Sequence, residues 1–249
     1  MSLYNDWINQ CKTSEMNRDF VEYLVESRNN GVLDEKLHEN YLNQGIVAVP
    51  DKEGEFFLEH LDALGLTLED LGFDNNEAFK LGNGFIVPVW SSTFELLFFI
   101  SANPDRAKDP KYKGGKYINV FPTQYKENLS SMRIFGLENT AKALKHGTMF
   151  VTEGVFDKQR LEAAGLPACS TLGSEIGTYH QRIFSRFPQI VFIGDNDVPG
   201  KKARTEFIKK LPKTIIHKVP RSKDIDEFAT KYPRDYQLFI DDLKSKYMN

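Results

Sequence analysis

Three acidic clusters stand out in this sequence by residue type and spacing. Glu153 and Asp157 lie in Glu153-Gly154-Val155-Phe156-Asp157, Asp195 and Asp197 flank Asn196, and Asp224 and Asp226 lie in Asp224-Ile225-Asp226-Glu227. Clustered carboxylates repel one another unless cations neutralise them. An all-oxygen donor set favours Mg²⁺ or Mn²⁺ over zinc, and such ions bind substrate phosphates and support displacement at phosphorus. Lys201 and Lys202 open an expected helix, whose N-terminus attracts phosphate, and Lys223 directly precedes the third cluster. Gly154 and Gly200 leave room for a sharp turn or a close approach. Taken singly, each cluster has a plainer use, because Asp caps backbone N–H groups in turns and at helix starts. Their order, spacing and position just after strands favour a joint role.

The elements that must position these residues are legible from residue 148 onward. TMFVTE, QIVFIGDND and TIIHKVP read as strands, and FDKQRLEAAG, the segment ending in YHQRIFSRF, and PGKKARTEFIKKL read as helices. This alternation, with continuous apolar strands, indicates a parallel sheet covered by helices. Ligands bind outside the carboxyl ends of such strands, so the three clusters are expected to converge on one edge.

Upstream the pattern differs. Residues 1–80 read as short amphipathic helices. GFIVPVW and FELLFFIS read as a hairpin, with Pro88 marking an edge strand or a bulge. A basic loop rich in Lys, Pro and Gly leads to a short strand at residues 117–121, and residues 136–146 read as a helix. The FELLFF run is expected in the core, as is Cys169, and the five histidines lack ligand spacing. The expected organisation is an acidic helical segment (1–80), a basic α+β subdomain (81–147), the parallel α/β domain (148–222), and the third acidic cluster with C-terminal helices (223–249).

Charge is split in the same way. The net charge of −3 conceals 18 acidic and 6 basic side chains in residues 1–98, against 17 acidic and 26 basic ones in residues 99–249. Basic residues concentrate in 101–150 and 199–223, around the acidic clusters, which points to a polyanionic partner. Two cysteines, Cys11 and Cys169, exclude a disulfide scaffold and a cysteine-based zinc site. No apolar run has the length of a membrane span, and the N-terminus does not read as a signal peptide, so a cytoplasmic protein is expected.

EGVFD, TLGS at 171–174 and FIGDNDVPGKKA together resemble the Toprim domain of DnaG-type primases. GFIVPVW, Lys116-Tyr117-Ile118-Asn119, Phe135-Gly136-Leu137 and Lys223-Asp224-Ile225-Asp226-Glu227 are similar, in family order, to other primase segments, so the resemblance covers roughly residues 82–230. It implies a Toprim-like parallel sheet and synthesis of short RNA primers from ribonucleoside triphosphates on single-stranded DNA. Carried onto this chain, it implies Glu153 as general acid/base or metal-linked carboxylate. Asp195 and Asp197 bind Mg²⁺ or Mn²⁺, assisted by Asp157, Asp224 and Asp226. Lys116, Tyr117 and Asn119 line the groove for template or nascent strand, and Gly173 shapes the adjoining loop. Lys201, Lys202 and Lys223 are placed with the phosphates.

The sequence also departs from the family pattern. It has no ligand set for the usual zinc-binding module, only 23 residues follow Asp226, the hairpin Arg is not evident, and Val198-Pro199 stands where a basic residue is common. A small core of this kind would suit a bacteriophage, working with a replicative helicase or a separate template-recognition protein. Two other readings use the same residues: a Toprim nuclease, and a degenerate primase-like protein that binds nucleic acid or replication proteins without chemistry. The lack of a P-loop argues against an ATPase-linked nuclease within this sequence.

Overall fold

Two different apolar patterns build two sheets of opposite kind. The computed structural model describes residues 2–51, 54–74, 82, 84–102, 117–123, 133–173 and 175–248. The chain divides into two compact units, one of residues 1–27 and 31–130, the other of residues 28–30 and 131–249.

In the first unit, helices α1 (Leu3–Thr13), α2 (Glu15–Arg28, whose last residue belongs to the second unit), α3 (Glu35–Asn43) and α4 (Glu55–Asp62) accompany an antiparallel sheet. Its strands are β1 (Val47–Val49), β2 (Gly84–Trp90), β3 (Leu96–Ala102) and β4 (Tyr117–Val120), in that order. Trp7, Phe57, Trp90 and Phe99 form the centre of its core. The expected hairpin is the β2–β3 pair. Strand β1 was not legible: four apolar residues between Gly45 and Pro50 carry no periodicity. Tertiary bonds hold it instead, since Asn17 accepts the Ala48 N–H at 2.9 Å and donates to the Ile46 carbonyl at 3.1 Å. Because β1 pairs with β2, the boundary expected at residue 80 falls inside one unit.

Of the two expectations for Pro88, an edge strand or a bulge, the structure agrees with the second. Strand β2 is internal, yet its ladder with β1 covers only Gly84–Ile86, so Pro88 has no β1 partner. On its other side it pairs with Phe99, next to a register shift at Val89/Trp90. The missing N–H is accommodated where the first ladder has ended.

The second unit is the α/β half. After a 3₁₀ turn (Leu137–Asn139) come α5 (Thr140–His146), β5 (Thr148–Thr152), α6 (Val155–Ala163) and β6 (Ala168–Ser170). Then follow α7 (Thr178–Phe184), β7 (Gln189–Gly194), α8 (Val198–Lys210), β8 (Ile215–Lys218), α9 (Ile225–Lys231) and α10 (Pro233–Tyr247). The sheet is parallel with order β6-β5-β7-β8. Its two faces are covered by separate apolar clusters, one centred on Phe184, Phe192 and Phe207, the other on Phe150, Phe228 and Leu243. The chain passes from β5 outward to β6, returns past β5 to β7, and continues outward to β8. The direction reverses between β5 and β7, and the crevice at such a reversal is where open parallel sheets bind ligands. Among the described residues no helix is long and apolar enough to cross a membrane.

Candidate functional site

Glu153 follows β5 and Asp195 follows β7, so the first two acidic clusters stand at neighbouring strand ends. The Asp195 N–H donates to Glu153 Oε1 at 3.1 Å, which ties the two loops together. Asp157, in the first turn of α6, is buried and accepts the Asp226 N–H at 3.0 Å, which brings in the third cluster. The glycines serve these approaches. A Cβ on Gly154 would lie 2.5 Å from Asp157 Oδ2, and one on Gly200 would lie 2.1 Å from the Asp195 carbonyl oxygen.

The capping role also holds. Asp197 caps α8 by accepting the Gly200 N–H at 2.9 Å, and Asp224 caps α9 by accepting the Glu227 N–H at 2.8 Å. An Asp has two oxygens, and a cap occupies one of them, so capping orients these carboxylates without excluding a second partner.

Burial and mutual repulsion mark the cluster electrostatically. Burial, reinforced by Asp195, pushes the Glu153 carboxyl up to about 7. Burial, reinforced by Asp224 and then Asp195, pushes Asp157 up to about 8. Asp195 rises to about 6 through burial and Asp224, with Lys223 opposing the shift. Two cations oppose the shifts: Arg204, and Lys223, an exposed side chain with Nζ 3.6 Å from Asp197 and 4.0 Å from Asp195.

The structure therefore brings together Glu153, Asp157, Asp195, Asp197, Asp224 and Lys223. Asp226 is the exception. Its Oδ1 accepts from Arg160 Nε at 2.8 Å and its Oδ2 is paired with Arg28 Nη2, so both oxygens of this expected cation ligand contact guanidinium groups. Lys201 and Lys202 are exposed in the first turns of α8. Tyr117 and Asn119 lie on β4 in the first unit, opposite Ala102 and Ile100 of β3. Lys116 lies outside the described residues.

Three participants were missed. Arg204 of α8, buried, donates through Nη1 to the carbonyls of Gly194 (3.2 Å) and Asp195 (3.0 Å), holding the turn that carries Asp195. Its signal was a cation on the apolar face formed by Ala203 and Phe207. Asn196 donates its side-chain N–H groups to the carbonyls of Val219 (2.7 Å) and Ser222 (2.6 Å), and its backbone N–H to the Lys223 carbonyl (2.7 Å). It joins the second cluster to the third, and nothing in its type announced that. Arg160 is the third.

Among the described residues no group of three or more His, Cys, Asp or Glu side chains stands in ligand geometry around one point. The chemistry of the donors nonetheless fits a hard divalent cation. The carboxylates are partly buried, their pKa values are raised by one another, and one exposed lysine faces them.

Comparison with known proteins agrees with this geometry. Residues 150–229 match the Toprim-like family model. The zinc-binding and RNA polymerase domains of the Aquifex aeolicus primase are similar at 19% identity and TM-score 0.65, over 95% of this chain and 59% of that one. This chain thus spans well under two thirds of the Aquifex aeolicus chain. The RNA polymerase domain of the Mycobacterium tuberculosis primase DnaG is similar at 19% identity and TM-score 0.66, over 95% of this chain and 78% of that one. A DnaG primase catalytic domain bound to single-stranded DNA is similar at 16% identity and TM-score 0.61, over 96% and 78%. No curated protein matches this chain. The protein therefore carries a Toprim-like segment at residues 150–229, within a fold similar to that of the catalytic domains of DnaG-type primases.

Proposed function

We propose that this protein is the catalytic core of a DNA primase, a nucleotidyltransferase that joins ribonucleotides on single-stranded DNA. The observation that carries this reading is the cluster of half-buried and buried carboxylates at the ends of β5 and β7, set at the reversal point of a Toprim-like sheet. Glu153, Asp157, Asp195, Asp197 and Asp224 would hold Mg²⁺ or Mn²⁺. Such a cation, when bound, lowers the charge on a triphosphate and stabilises the pentavalent phosphorus.

The reaction forms a bond from the 3′-hydroxyl oxygen of the primer to the α-phosphorus and breaks the bond to pyrophosphate. The chain's own groups have defined parts in it. Glu153, bonded to the Asp195 N–H, accepts or returns a proton or, as a metal-linked carboxylate, helps to hold the cation. Arg204 and Asn196 keep the Asp195 turn in place by bonds to backbone carbonyls. Lys223, exposed beside Asp195 and Asp197, and Lys201 and Lys202 on α8 attract triphosphate or template phosphates. Lys116, Tyr117 and Asn119 contact template or nascent strand. The partners of this reading are single-stranded DNA, ribonucleoside triphosphates, and a replicative helicase or a separate template-recognition protein.

The test is incorporation of labelled ribonucleotides on mixed-sequence single-stranded DNA without added primer, in Mg²⁺ and in Mn²⁺, with and without the replication partners. Short RNA products from the parent, lost in Glu153→Gln, are expected. No incorporation under any of these conditions would overturn the reading, and cation-dependent nicking in its place would make the protein a nuclease.

A further inference from the structure

The two aspartates of the third cluster face different neighbours. Asp224 caps α9, and its charge is felt by both Asp157 and Asp195. Asp226 gives its carboxylate to guanidinium groups and its backbone N–H to Asp157. Asp157 and Arg160 are three residues apart on α6 and so share a face. One grips the backbone of Asp226 and the other its side chain.

Arg160 is buried; its Nη2 also donates to Asn29 Oδ1 at 3.4 Å, and two further bonds extend the Asp226 contact. Its Nη2 donates to Thr230 Oγ1 at 3.2 Å, and the Thr230 hydroxyl donates back to the Asp226 carbonyl at 2.8 Å. Tyr236 of α10 donates its hydroxyl to the Arg160 carbonyl at 2.8 Å. Arg28 completes the Asp226 pair while its guanidinium lies over the Phe156 ring, 3.4 Å from the centroid. A half-buried carboxylate shared by two guanidinium groups is already neutralised and has no reason to recruit a further cation.

We propose that Arg160 is a positioning residue: by holding Asp226 it fixes the first turn of α9 against α6, aims Asp224 at the Glu153–Asp195 cluster, and withdraws Asp226 from the cation-holding set. The inference rests on the reading of that cluster as a cation site. It divides the Asp-Ile-Asp motif into one carboxylate that meets the cation and one that anchors the helix.

The test measures Mn²⁺ binding to the full chain by electron paramagnetic resonance, together with thermal melting. Asp224→Asn is expected to weaken binding about tenfold. Asp226→Asn should leave it within about twofold, because an amide oxygen still accepts the Arg160 bond. Arg160→Met should weaken it about tenfold, as loss of an outer-shell partner does, and Arg160→Lys should recover part of that loss. The Arg160→Met/Asp226→Asn double variant should be no worse than Arg160→Met alone. Tenfold weakening in Asp226→Asn without a change in melting, or tighter binding in Arg160→Met, would overturn the proposal. If the parent binds no Mn²⁺, the cation reading fails by itself and melting decides the rest. Losses from Arg160→Met and Asp226→Asn that do not add keep the clamp, and losses that add remove it.

Discussion

Helix α6 delivers neighbouring buried residues to two charge clusters, and the two are balanced in opposite ways. Lys158, fully buried, stands between Glu138 (3.1 Å) and Glu162 (2.7 Å), with its ammonium 4.2 Å from the centre of the Phe135 ring. Burial works against the Lys158 charge, but the two carboxylates outweigh it and hold the pKa up. Asp157, one residue earlier and so roughly 100° around the helix, lies instead by Asp224, Asp195 and Asp226, and burial, reinforced by these charges, drives its carboxyl up to about 8. The lysine serving that side, Lys223, sits at the rim with a side chain 57% exposed. Buried carboxylates are tolerated where the fold supplies its own cation. Where Glu153, Asp157, Asp195, Asp197 and Asp224 face the buried Arg204 and the solvated Lys223, carboxylates outnumber cations, and the remaining charge is left for protons or for an external ion.

The comparison is broken most sharply at the acidic cluster. Asp195→Asn is expected to lower primer synthesis by about 10³-fold or more, since a carboxylate ligand of a catalytic cation is worth several kcal/mol. The same variant should melt higher than the parent in chelator, because like charges are relieved. A primer synthesis assay and a melting curve on the same preparation check both directions.

Lys158→Met attacks the other cluster. Removing one partner of a buried ion pair leaves the remainder uncompensated and typically costs about 3–5 kcal/mol. Urea unfolding should show a loss of that order, and cation affinity at the acidic site should stay unchanged. A stability loss under 1 kcal/mol would mean that Glu138 and Glu162 find other partners.

The pH dependence should carry opposite signs in the two units. Glu153, Asp195 and Asp157 have folded pKa values above their ordinary range, at about 7, 6 and 8. The native state therefore binds more protons, and stability in chelator falls as pH rises from about 4 to 8. Mg²⁺ should suppress that fall, as circular dichroism melting in chelator and in Mg²⁺ would report. In the first unit, burial depresses His60 to about 4, against an ordinary value of 6.5. There the unfolded state binds the extra proton, and stability is lost as pH falls from about 6.5 to 4, by at most about 3 kcal/mol. Both tryptophans, Trp7 and Trp90, belong to that unit, so their fluorescence follows it separately.

Lys223→Ala is the smallest perturbation. It also removes a lysine between two carboxylates, but an exposed one, and exposed pairs contribute about 0–1 kcal/mol. Urea unfolding should barely change. A loss as large as that in Lys158→Met would erase the distinction between the two clusters.

The sequence disclosed the part of this arrangement that depends on continuous local pattern. The apolar strands β5 and β7 and the carboxylates just beyond them were legible because a parallel strand buried on both faces leaves an unbroken apolar run. Other parts depend on which way a helix faces. The segment Val155–Leu161 is buried at every position, Asp157, Lys158, Gln159 and Arg160 included, so its polar composition reads as an ordinary surface helix. The Glu138–Lys158–Glu162 cluster and the Arg160–Asp226 contact were hidden for that reason. Asp226 was grouped with Asp224 by spacing, while the extra guanidinium partners come from positions 28 and 160, far away in sequence. Strand β1 was missed for the converse reason, since three residues held by Asn17 leave no periodic trace.

The central claim is that the acidic cluster at the β5 and β7 ends, and not the Lys158 cluster, awaits an external cation. Isothermal calorimetry of Mg²⁺ binding tests it directly, on the parent, Asp195→Asn and Glu162→Gln. Saturable binding by the parent, weakened at least about tenfold by Asp195→Asn and unchanged by Glu162→Gln, is the predicted result. Equal binding by the parent and Asp195→Asn, or no saturable binding by the parent at all, would contradict it.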